Sequence, residues 1–221
     1  LPCVFDSLDD CRKKLDDPDF YNLISQVYTD GGYHLLGMAD QGFRIMSTNK
    51  PVYSLADFKG QKIRTMENAY HLQFWKQMGA NPTPMSFSEV YIGLQQGTID
   101  AQENAYEIIV SAKLYEQQKY LISTNAVPDY TTLIVSDEFY QGLTKEQQKI
   151  IDQAAEIAQE KARESADDRR VQRQKVLEDE GMQIVDVDQK TWKQMQEKCQ
   201  PVYDSIRKQA GDKLVDLYMG K

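Results

Sequence analysis

The chain has 221 residues and a mass of 25.5 kDa, enough for one large domain or two small ones with a real core. Its 26 Lys and Arg against 34 Asp and Glu leave a net charge of −8, which excludes a general nucleic-acid binder, because neutralising phosphates needs a basic surface. Charged residues at 27% and hydrophobic residues at 41% describe an ordinary folding chain, and no apolar run approaches the roughly twenty residues that span a bilayer, so no direct membrane insertion is expected.

The sequence opens on Leu1 without a signal pattern, the mark of a processed product or a fragment. Cys3, Cys11 and Cys199 make neither a disulfide framework nor a metal-knuckle spacing. Cys3 and Cys11 pair only if the loop between them folds back; the alternative is buried free thiols. Leu8 to Tyr28 reads as helical, interrupted near Asp17-Pro18-Asp19. His34 to Met38 and Gly42 to Met46 read as two short strands. Ser54-Leu55-Ala56-Asp57 has the form of a helix start, and Gly60 stops that turn. Lys62 to Met66 reads as a strand, and Leu72, Trp75 and Met78 mark a helix closed by Gly79. Ser88 is placed to cap a helix containing Val90, Ile92 and Leu94, and Ile99 to Asn104 follows as a strand and its exit.

Tyr106 to Tyr120 reads as helical, and Tyr130 to Val135 is rich in β-forming residues. Thr144-Lys145-Glu146-Gln147 is a capping box. The helix it opens carries Ile150, Ile151, Ala154, Ile157, Ala158 and Ala162 on one stripe, with no Gly or Pro before Gly181. Such a helix runs about 54 Å at 1.5 Å per residue, longer than a small domain is wide. Its stripe turns polar from Glu164 to Arg170, which breaks a heptad pattern and marks a passage between two lobes. The alternation of strands and helices predicts an α/β fold.

Arg44 and Arg64 occur in strand-like segments. A guanidinium there needs a partner, and its fork matches a carboxylate through two parallel bonds. In open α/β sheets, ligands bind beyond the carboxyl ends of strands, where both arginines fall. The alternative is an internal ion pair, the commoner fate on spacing alone. Asn104, at the end of Gln102-Glu103-Asn104, suits a cleft but also suits a turn. Phe87 and Trp75 suit a pocket wall or a core, and Tyr91 suits a ligand contact or the surface. His34 and His71 have no metal-ligand spacing, no nucleophile elbow or phosphate loop is present, and Glu67, Asp100 and Glu103 have only their number to recommend them as an acid/base pair. Neither a cofactor nor a metal is expected, nor is catalysis.

Five blocks carry a resemblance: Gly42-Phe43-Arg44; Lys62-Ile63-Arg64-Thr65-Met66; Gly79 to Met85; Phe87-Ser88-Glu89-Val90-Tyr91; and Gly97-x-Ile99-Asp100-x-Gln102-Glu103-Asn104. In order and spacing the chain closely resembles the extracytoplasmic solute-binding subunits of tripartite ATP-independent periplasmic (TRAP) transporters, the DctP-like family. The resemblance departs at Ala101, where Gly is usual, and at Ala105, where Pro is usual.

The resemblance implies a two-lobed periplasmic-binding-protein-like α/β fold, a long helix crossing both lobes, and a first lobe incomplete at its N-terminal side. Lobe one holds residues 1–41 and 130–169, lobe two residues 42–129 and 170–221. It implies that Arg64 pairs with a ligand carboxylate, that Arg44 lies near that carboxylate, and that Phe87 and Asn104 line the cleft. Glu67 falls where members vary with ligand; beside a cleft it disfavours a second carboxylate and suits sugar hydroxyls. The expectation is a monomeric periplasmic or extracytoplasmic protein, lipid-tethered if Gram-positive, that captures an organic acid and delivers it to TRAP permease subunits. A sugar acid such as a hexuronate is favoured over a C4-dicarboxylate or another monocarboxylate. Ligand sensing through a receptor and an enzyme acting on a carboxylated substrate are the rival readings.

Overall fold

The computed structural model describes residues 1–220. Its strands are β1 (Tyr33–Thr48), β2 (Lys62–Thr65), β3 (Asn81–Pro84), β4 (Ala101–Asn104), β5 (Tyr120–Ser136) and β6 (Gln183–Asp186), joined in one mixed sheet in the order β3-β2-β4-β1-β5-β6. Its helices are α1 (Leu8–Leu15), α2 (Pro18–Asp30), α3 (Ala69–Gln77), α4 (Val90–Gln95), α5 (Tyr106–Ser111), α6 (Asp137–Gln141), α7 (Lys145–Asp179), α8 (Gln189–Lys198), α9 (Gln200–Ala210) and α10 (Asp212–Met219). Strands β2, β3 and β4 run parallel, and β1 is antiparallel to both β4 and β5.

Strand alternation sorts the core into two layers. Ile45, Leu121 and Ile184 face one cluster, with Phe20, Tyr106 and Leu177. Met46, Ile122 and Val185 face the other, with Trp75, Met195 and Val202. The sheet is therefore covered on both faces, and β1, β5 and β6 each contribute to both cores.

The two short strands expected at 34–38 and 42–46 are one strand. Gln41 and Gly42 both lie opposite Asp129, because the pairing steps from Asp40↔Tyr130 to Phe43↔Pro128. That bulge absorbs a turn-like sequence without ending the strand, and Gly42 supplies the φ of +99°. The proline-rich Asn81–Pro84 segment is a strand because it lies at the sheet edge, with a partner on one side only. The helix expected over 106–120 stops at Ser111, where Lys113 takes a left-handed φ of 51°. Ser88 lies inside the 3-10 turn Phe87–Glu89 ahead of α4 rather than capping it.

Asp17 caps α2, accepting from the Asp19 and Phe20 amides. Thr144 and Gln147 form the expected capping box of α7. The apolar stripe of α7, however, faces away from the core: Ile150 and Ile157 are 65% and 59% exposed. The side that docks carries Ala155, Gln159, Arg163 and Ala166, spaced as one helical face, and it is held by polar bonds. Met38 N donates to Gln159 Oε1 at 2.7 Å, and Arg163 Nη2 donates to Met38 O at 2.8 Å. Within the polar stretch, Asp167 accepts from Arg12 at 3.1 Å, while Arg12 also grips Asp40 at 2.7 and 2.8 Å. All three cysteines are free and buried, and Cys11 lies 2.7 Å from the Tyr130 hydroxyl.

Candidate anion-binding site

The parallel edge of the sheet gathers the site. Strand β2 ends at Arg64 and Thr65, and the register sets Arg64 beside Thr83 of β3 and Gln102 of β4. The antiparallel pairing of β4 with β1 sets Asn104 opposite Ile45, next to Arg44. Arg64 and Asn104 thus lie at the carboxyl ends of β2 and β4, while Arg44, expected near a strand's carboxyl end, lies inside β1, which runs on to Thr48.

The two arginines have opposite fates. Arg44, 8% exposed, has a partner on each of its three nitrogens. Its Nε donates to Glu103 Oε2 at 2.5 Å, Nη1 to Asp129 at 3.2 Å, and Nη2 to Glu103 O at 2.7 Å and Asn104 Oδ1 at 2.9 Å. Burial works against its charge, but Glu103 and Asp129 outweigh burial and raise its pKa. Arg64, 4% exposed, donates only its Nε, to Met85 O at 2.9 Å, and forms no ion pair among the described residues. Its guanidinium carbon sits 5.6 Å from the centre of the Phe87 ring, within cation–π range. Burial, and then the Arg44 charge, lower its pKa.

Glu103 is held ionised from two sides. Burial alone pushes its carboxyl up, yet the Arg44 charge and His71 together bring it below the ordinary value of 4.5. His71, in the first turn of α3, brings Nδ1 to 3.4 Å from Glu103 Oε1. Behind these groups Asn104 donates to Gln102 Oε1 at 2.6 Å, Gln102 to Ser47 at 2.8 Å, and Ser47 to Gln118 at 3.1 Å. This ladder fixes the Asn104 amide and leaves little rotational freedom at the strand end.

Phe87 is 43% exposed and forms the outer wall over Arg64. Glu67 is exposed just ahead of α3 and forms no hydrogen bond or ion pair with Arg64, Arg44 or Asn104. Trp75 is core, and the Tyr91 hydroxyl bonds Glu116 and Gln117. Asp129 and the Met85 carbonyl were not singled out from sequence: Asp129 is distant in the chain, and a backbone acceptor leaves no side-chain signal. Among the described residues, no group of three or more His, Cys, Asp or Glu is arranged to hold a metal ion. A buried guanidinium with two unused terminal nitrogens, beside a pinned amide and an aromatic face, is suited to a planar anion such as a carboxylate.

Comparison with known proteins agrees with this architecture. A TRAP periplasmic solute-binding protein from Haemophilus influenzae RdAW with bound L-gulonate superposes with a TM-score of 0.90 at 32% identity, covering 100% of this chain and 73% of that one. A second, from Sulfitobacter sp. NAS-14.1 with bound β-D-galacturonate, gives 0.91 at 28% identity with the same two coverages. The fold is thus that of the two-lobed TRAP periplasmic binding proteins. The family described as "Bacterial extracellular solute-binding protein, family 7" (DctP) matches residues 1–209, and the chain belongs to it. The chain spans only part of its curated relatives. It covers 63% of an uncharacterised Haemophilus influenzae protein, which is 33% identical over 94% of this chain. It covers 40% of the ectoine-binding periplasmic protein TeaA of Halomonas elongata, 38% identical over 62% of this chain.

Proposed function

We propose that this chain captures an organic acid outside the cytoplasm, clamps its carboxylate on Arg64 between two lobes, and delivers it, as a monomer, to TRAP permease subunits. The observation that carries the reading is the buried, uncompensated Arg64 guanidinium beside a fully compensated Arg44. A buried cation is costly without a counter-charge, so a bound carboxylate would supply what the protein withholds. The proposed lobes, residues 1–41 with 130–169 and residues 42–129 with 170–221, meet at the β1 bulge opposite Asp129, where a small rotation would close them. In this reading Arg44 and Asn104 set the shape and charge of the clamp, and Phe87 covers it.

One free cation in the site favours one ligand carboxylate, since Glu103 and Asp129 already neutralise Arg44. That supports a sugar acid over a C4-dicarboxylate, and the gulonate and galacturonate bound to the two structural relatives support it too. Catalysis finds no support here, because the carboxylate beside Arg64 is locked in an ion pair. The test is a thermal-shift and calorimetric panel of gulonate, galacturonate, ectoine, succinate and malate against the parent and Arg64→Ala. Ligand at a hundred times its Kd adds about 2.7 kcal/mol to the native state, and Arg64→Ala removes about 2–5 kcal/mol of binding. Undiminished binding by Arg64→Ala would overturn the clamp, and succinate or malate outbinding every sugar acid would overturn the ligand preference.

A further inference from the structure

Of the three thiols, two share a core and one does not. Cys11 lies in the cluster with Leu15 and Phe20, whereas Cys3 and Cys199 lie together in the other, both 0% exposed. The backbone of Cys3 is pinned from both ends. Its N–H donates to Ala126 O at 2.7 Å, and its carbonyl accepts from Gln196 Nε2 at 2.8 Å and the Tyr203 hydroxyl at 3.4 Å. Gln196, in α8, and Tyr203, in α9, stand three residues before and four after Cys199, which lies at the junction of those helices. These bonds hold the Cys3 segment against the α8–α9 junction that carries Cys199, at a φ of 53° that a non-glycine residue rarely adopts. The Cys199 thiol donates to Met195 O at 3.2 Å, and its nearness, then burial, push the Cys3 thiol well above its ordinary value.

We infer that Cys3 and Cys199 are a built cross-link site, which a disulfide joins when the chain folds in an oxidising compartment. The bond would fasten the segment ahead of α1 to the junction of α8 and α9, closing a loop that spans nearly the whole chain. The setting rests on the extracytoplasmic reading above, since disulfides persist there and not in a reducing cytosol. The oxidant is a disulfide of the class R–S–S–R. A thiolate attacks it and releases one R–SH; the second Cys thiolate then attacks the mixed disulfide and releases the other. Two cysteine sulfurs are oxidised, the two sulfurs of the oxidant are reduced, and the two thiol protons end on the released thiols. Because both native thiols are buried, exchange takes place during folding. Cys11, bonded to Tyr130 in the other core, stays reduced.

The purified full chain is refolded with oxidised glutathione or with dithiothreitol, alkylated in denaturant, weighed intact and peptide-mapped. The expected oxidised product has one alkylatable thiol, at Cys11, and a linked pair of peptides carrying Cys3 and Cys199. Reduction is expected to lower its Tm by about 5–10 °C and to leave the Tm of a Cys3→Ala/Cys199→Ala protein in place. Three free thiols after oxidative refolding, or a link through Cys11, would overturn the inference, and the map on the parent decides this even if the double variant does not fold. Carboxylate binding, measured on both products, tests the capture reading separately.

Discussion

Arg44 and Arg64 occupy the same kind of sequence, an arginine among β-forming residues near a strand end, and sequence alone offered each the same two fates. The structure divides them, because the carboxylates that decide the matter come from other strands. Glu103 arrives with β4 and Asp129 with β5, both against Arg44. The division predicts opposite stability effects. Arg44→Ala leaves Glu103 buried without its main partner and is expected to cost about 3–5 kcal/mol in urea unfolding. Arg64→Ala removes a desolvated charge that no ion pair offsets in the unliganded protein, and should stay within about 1 kcal/mol of the parent. The pH dependence has a definite sign. Glu103 has a folded pKa below its ordinary 4.5, so its contribution is present above the unfolded value and is lost as pH falls through the folded one. The gap in stability between the parent and Glu103→Gln should therefore be full at pH 7 and shrink below about pH 4. A gap independent of pH would mean that the carboxylate charge contributes nothing.

Legibility at the scale of elements depended on whether local rules or partners decide the outcome. The Thr144 cap was readable because its chemistry is local, acting within three residues of itself, whereas Ser88, also read as a cap, falls inside the 3-10 turn ahead of α4. Strand β3 was not readable, because two prolines in four residues argue against a strand until it is known to lie at an edge. The stripe on α7 misled for a related reason. Hydrophobic periodicity assumes that a helix docks through its apolar side, whereas α7 docks on β1 through Gln159 and Arg163, which grip the N–H and C=O of Met38. That docking requires a glycine beside it, since a Cβ at Gly37 would lie 2.8 Å from Gln159 Oε1. Gly37→Ala should then push Gln159 off the Met38 amide and cost about 1–2 kcal/mol. With Gln159→Ala already in place, the same change should cost much less, a non-additivity that a double-mutant cycle measures. Fully additive costs would show that the helix is held by something other than this bond.

For the molecule as a whole, the alternation of β1, β5 and β6 has a consequence for cooperativity. Neighbouring residues on one strand, Ile45 and Met46 or Leu121 and Ile122, belong to different cores. Neither core can lose its strands without exposing the other, so the two faces should unfold together although the chain is larger than a typical two-state domain. The molecule carries a separate reporter on each face. Both tryptophans report one, Trp75 inside that cluster and Trp192 packed against it. Cys11 reports the other: it is 0% exposed, and burial, the largest influence on it, pushes its pKa up to about 11, so its thiolate is scarce until the fold opens. Urea midpoints from tryptophan fluorescence and from pulsed alkylation of Cys11, read by peptide mass, are expected to coincide. Cys11 labelling at clearly lower urea than the fluorescence change would show that the α1–α2 side opens first, and that the proposed lobes, not the shared sheet, are the cooperative units.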